Sequence, residues 1–165
     1  MLVFVPLAAA DLVAWATAGP RDVAGFAATP GFLQAFGLDS PVADEAELTL
    51  LEIAGLASLL SYGRRLVAVC ETVGEPGEPA ELGAVQASAV PWRRVSSLFA
   101  DDADGASRAT QVRTKLGPTN LVAAWDASPT VSLVEEIDLL WHGAGEWDRL
   151  ASPSVGQPAV EAPAR

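Results

Sequence analysis

Residues 2–5, Leu-Val-Phe-Val, form a short, continuously apolar run of the kind that makes a buried strand. Pro6 then opens an alanine-rich stretch that predicts a helix over 8–18, closed by Gly19-Pro20. Residues 23–29 predict a second strand, ended by Pro30, so the segment predicts a βαβ unit with a right-handed crossover. A short helix is expected over 30–37, with Phe32, Leu33 and Phe36 on one side. The clearest helical pattern spans 44–62, with Asp44 as cap, Glu47 in capping-box register and Gly63 as the stop. Leu48, Leu51, Leu56, Leu59 and Leu60 make a stripe that Leu50, Ile53 and Ala57 widen. A helix this apolar needs cover on more than one side, from a sheet and from either another helix or a second subunit.

Residues 65–72 predict a strand, 74–79 a Gly/Pro loop, and 82–90 a second strand that pairs with 65–72 as an antiparallel hairpin. After the 91–94 turn, 95–100 predict another strand. Ala103, Ala106, Ala109, Val112 and Leu116 then recur at helical spacing, with Asp residues at the start and Arg108, Arg113 and Lys115 later, as the helix dipole favours. Segments 121–126 and 131–140 show no clear period, and 139–142 predict a last strand. The expected fold is α+β: a single domain over 1–150, built on a mixed sheet with two βαβ-like units, a hairpin and a helical pair on one face. The Ser, Pro, Gly and Ala of 151–165 predict a disordered tail.

Composition narrows the function. The chain has one His (His142), one Cys (Cys70), one Lys (Lys115) and one Tyr (Tyr62), which removes most familiar catalytic constellations. Its 21 acids against 10 bases give a formal net charge of -11, a surface that repels phosphate backbones and anionic lipid. Nucleic acid and membrane are therefore not expected partners. The lone cysteine allows no internal disulfide and suits the cytoplasm. No Lys or Arg precedes the apolar N-terminal run, and Pro6 and Asp11 interrupt it, so a buried strand and helix are expected there rather than a secretory signal.

The order of segments carries a resemblance. "MLVFVP…GFAATPGF" is followed by "DEAELTLLEIAGLASLL" and "RRLVAVCETV", and then by "VSSLFADDADG" and "EEIDLLWHGAGEWDRL". This pattern resembles a family of small acidic actinobacterial proteins known only as a domain of unknown function, over most of 1–150. The closing segment of that family commonly reads Leu-x-Trp-Tyr, where this chain has Leu139-Leu140-Trp141-His142, and 115–130 match it poorly. The resemblance implies fold and lineage, and brings no activity with it.

Asp101, Asp102 and Asp104 are the candidate metal ligands, for Mg²⁺ or Ca²⁺. Against an EF-hand loop the first position would be Ala100 and the twelfth Gln111, so two key ligands fail, and acidic capping of the following helix is the stronger expectation. Cys70 and His142 make the sole conceivable thiol dyad, but Leu66-Val-Ala-Val-Cys buries the thiol and keeps it neutral. Pro91-Trp92-Arg93-Arg94 predicts a cation–π or salt-bridged turn. Aromatics beside acids in the closing segment give the candidate partner-binding set: Glu135, Glu136, Trp141, His142, Glu146 and Trp147. The competing reading has those tryptophans covering a sheet edge of the same chain. The inventory thus points to a cytoplasmic interaction or regulatory protein without catalysis or cofactor, bound to a protein partner or to itself. The alternative is a metal-dependent hydrolase using Asp101, Asp102 and Asp104.

Overall fold

The computed structural model describes residues 1–152. A seven-stranded sheet organises them, in the order β4-β5-β2-β1-β3-β6-β7. The strands are β1 (Leu2–Pro6), β2 (Arg21–Phe26), β3 (Leu66–Glu71), β4 (Glu75–Pro76), β5 (Ala84–Val90), β6 (Val95–Ala100) and β7 (Leu140–Gly143). The helices are α1 (Ala9–Ala18), α2 (Pro30–Phe36), α3 (Asp44–Tyr62), α4 (Ala103–Leu116), α5 (Leu121–Trp125), α6 (Ser128–Glu136) and α7 (Trp147–Ala151). The α+β class expected from the pattern is what the chain adopts.

Strand alternation sorts side chains between two layers. Val3 and Val5 of β1, with Ala68, Cys70 and Leu98, face α1 and α7 and pack on Leu12, Trp15 and Leu150. Phe4, Val67 and Val69 face the other way, onto Phe32 of α2 and Leu50, Ile53 and Ala54 of α3. Trp15 has no exposed surface; its indole N–H donates to the Val90 carbonyl at 2.8 Å, and Trp92 meets its ring edge-on at 5.5 Å. That contact, rather than a cation–π pair, occupies Trp92. Among the described residues Arg93 and Arg94 enter no ion pair.

The sheet is antiparallel at every pairing, which corrects the mixed sheet and its βαβ units. β1 and β2 pair antiparallel, with Phe4 opposite Phe26. Arg21 accompanies this turn: its guanidinium donates to the Asp11 carbonyl at 2.9 Å and carboxylate at 3.3 Å. Asp11 sits in the first turn of α1, so the start of β2 is tied to the end at which the chain leaves β1, from which β2 runs back. The predicted hairpin is also corrected: β5 pairs with β2 and β4, while β3 lies between β1 and β6.

α3 has the predicted bounds and the predicted double cover. One side packs on the sheet and α2, and the other, through Leu56 and Leu59, on α4, α5 and α6. The second cover is therefore the chain's own, formed partly by α5 and α6, the segments in which no period was legible. Two details differ. The helix is capped by Ala43 without a side-chain bond, so Asp44 falls inside the first turn with Glu45 and Glu47, where the three carboxylates oppose the helix dipole. Leu48, assigned to the core stripe, is 54% exposed. At the other end Ser58 joins α3 to β3: its hydroxyl donates to the Arg64 carbonyl at 2.7 Å and accepts from the Leu66 N–H at 3.2 Å. Ala151 closes α7, and the remainder of the predicted tail, 153–165, lies outside the described residues.

Candidate functional site

The acidic run at the end of β6 is divided among three roles. Asp101 is buried and receives Arg65 in a two-pronged pair, Nε to Oδ2 at 2.8 Å and Nη2 to Oδ1 at 2.5 Å. The same Nη2 donates to the Ile137 carbonyl at 3.3 Å. Asp102 is the N-cap of α4, its Oδ1 accepting from the Gly105 N–H at 2.8 Å, and Asp104 is exposed in the first turn. Gly105 is needed here, because a Cβ on it would lie 2.5 Å from Asp101 Oδ1. Among the described residues no group of three or more His, Cys, Asp or Glu side chains is placed to hold a metal ion. Arg65 was not legible as the partner of Asp101: the two are 36 positions apart and meet across the β3–β6 pairing.

The six partner-binding candidates do not form one surface. Glu135 is exposed and Glu136 pairs with Arg108, both at the end of α6. Glu146 accepts from the Gly143 N–H at 2.8 Å and meets Arg149. Trp147 is half-buried against the layer containing Trp15. His142 lies opposite Leu98 on β6, and Trp141 opposite Phe99, so the two side chains leave β7 on opposite faces. Cys70 lies on β3, with β6 between it and the β7 strand of His142, and burial pushes its thiol up to about 11.

Trp141 stands apart from the rest, being 64% exposed on an edge strand. It lines a groove of about 360 Å³ with Phe99 of β6 and with Asp44, Glu47, Leu48 and Leu51 of α3. The floor is sheet, where Leu2, Phe4 and Val69 lie beside the first half of α3. A second hollow of about 200 Å³ shares Leu2, Phe4 and Glu47 and continues to Val42, which is 78% exposed. The helices α4, α5 and α6 cover the latter half of α3 and leave this apolar strip open. Sequence reasoning found Trp141 and missed Leu48 and Val42. Leu48 carried no separate signal, since it falls in the same stripe as Leu51, Leu56 and Leu59, which the chain buries.

Glu52 follows Leu51 on α3 and is half-buried. Burial, helped by Asp138, raises its carboxyl to about 7, while Arg65 acts in the opposite sense. Asp138 belongs to the stretch leading from α6 into β7, the same stretch whose Ile137 carbonyl Arg65 holds.

An antiparallel sheet with helical layers on both faces defines an α+β protein, with an exposed apolar groove beside Trp141. The chain belongs to the Family of unknown function (DUF6912), which it matches over residues 1–151. No curated protein and no solved structure matches it.

Two predictions follow from this geometry. Asp101→Ala strands a buried guanidinium and should cost roughly 3–5 kcal/mol of unfolding free energy. Asp102→Ala should cost about 1 kcal/mol through the lost cap, and Asp104→Ala less than about 0.5 kcal/mol. Urea unfolding with and without Mg²⁺ checks both order and cause, since a metal site would make all three costs depend on the ion. The second concerns Glu52. A carboxyl raised in the folded state keeps its proton while the unfolded chain loses it, so stability falls as pH rises from about 4.5 to about 7. Glu52→Gln should raise Tm above that of the parent at pH 8 and leave little difference at pH 4; equal shifts at both would contradict the assignment.

Proposed function

We infer that this protein is an interaction or regulatory protein of the cytoplasm, and that it engages a protein partner through the Trp141 groove. The exposure of Trp141 carries the reading. A tryptophan offers the largest apolar area of any side chain, and leaving most of it in water beside Leu48 and Val42 is the composition of an unoccupied interface core. The acids of α3 form a polar rim around this core, as protein interfaces have. The single cysteine is free and buried, in keeping with a reducing compartment. No helix among the described residues is long and apolar enough to cross a membrane.

Partner binding and internal cover make opposite demands on one substitution. Trp141→Ala should change the unfolding free energy by less than about 1 kcal/mol, because its ring is mostly solvated already, whereas Trp15→Ala should cost roughly 3–5 kcal/mol. The same Trp141 variant, used as bait beside the parent chain, should lose a partner that the parent retains, through a deficit of about 2 kcal/mol or more. Large destabilisation by Trp141→Ala, with the partner profile unchanged, would return this tryptophan to the fold and remove the reading.

A further inference from the structure

Resting on the docking role of the Trp141 groove, we propose that its occupant is a basic amphipathic segment of a partner protein, apolar on one side and flanked by Lys or Arg. Charge complementarity selects this occupant. The groove is lined by apolar side chains, by Ser96 and Ser97 and by Asp44 and Glu47, with no Lys, Arg or His among them; the hollow that continues it adds Met1, whose ammonium group donates to the Thr72 carbonyl at 3.1 Å. Glu45 adds a third carboxylate to the same helical turn. An apolar floor with an anionic rim holds an apolar anchor whose neighbours are cationic, and repels an acidic segment by the same contacts.

A second copy of this chain fits less well. Two molecules of net charge -11 would bring acidic rims together, and among the described residues no Lys or Arg lines the groove. The groove also opens onto Leu2, Phe4 and Val69 of the sheet face beside α3, so an amphipathic helix would extend the layer that α2 and α4 to α6 build elsewhere.

The test uses the full chain and two synthetic helix-forming peptides, one of leucine and lysine and one of leucine and glutamate, followed by calorimetry. The Leu–Lys peptide should bind and the Leu–Glu peptide should not. Trp141→Ala should weaken binding about 30-fold, which corresponds to ~2 kcal/mol. Asp44→Asn with Glu47→Gln should weaken it and reduce its dependence on salt, while Glu75→Gln with Glu81→Gln, exposed acids at and beside the opposite edge strand, should leave it unchanged. Equal loss in the remote pair would mean general attraction to an acidic protein and would overturn the proposal. So would binding of both peptides alike, or a concentration-dependent dimer abolished by Trp141→Ala, which would make the occupant a second copy. If neither peptide binds but Trp141→Ala still loses the native partner, the cationic chemistry is wrong and the docking role stands.

Discussion

The Arg65–Asp101 pair is the contact on which the arrangement of layers depends. It joins the start of β3 to the end of β6, and its third bond reaches the Ile137 carbonyl just before β7. Both side chains are at most 4% exposed, so the pair gains little over an apolar substitute of the same shape, and its value is in where it fixes the chain. Gly105 makes room for it, since a Cβ there would strike Asp101, and Gly55 makes room for the neighbouring Leu139, which a Cβ would approach to 3.0 Å. The preceding residue, Arg64, reaches the opposite layer and donates to the Leu150 carbonyl at 2.7 Å at the end of α7. Adjacent arginines thus hold both helical layers to one point at the head of β3.

That point decides what stays exposed. With 137–139 anchored, β7 adds to β6 in the register that sets Trp141 over Phe99 and toward α3. α4 begins at the Asp102 cap immediately after the pair and, with α5 and α6, covers the far half of α3. The near half keeps Leu48 in water, and the groove is the gap that remains between them. At the opposite edge of the sheet β4 is two residues long and ends in Pro76, a strand that offers little to a partner. Other exposed apolar side chains, such as Val13, Val73 and Val122, stand singly, whereas Trp141 and Leu48 share one groove.

Much of this was legible in the chain. The bounds of α3, the apolar runs of β1, β3 and β6, and the double cover of α3 follow from local pattern, because each is set by the period of its own residues. Strand partners were not legible, since pairing rests on contacts between segments far apart in the chain, such as Val3 with Cys70, that no periodicity encodes. The same limit hid α5, whose start is set by the Asn120 side chain on the Ala123 N–H rather than by an apolar stripe. At the site, Trp141 was visible by residue type. Its companions on α3 were not, because an apolar stripe looks the same whether it is buried or exposed. Asp101 was visible as an acid, and only the fold shows that its counter-ion is a guanidinium.

The claim that the buried pair fixes the strand carrying Trp141 is tested most directly by amide hydrogen exchange in Arg65→Lys. Lysine keeps the charge and loses the fork that spans Asp101 and the Ile137 carbonyl. Exchange over 137–143 should quicken markedly while β1 and β2 keep the protection of the parent chain. Unchanged protection over 137–143, or an equal rise across the whole sheet, would contradict the account.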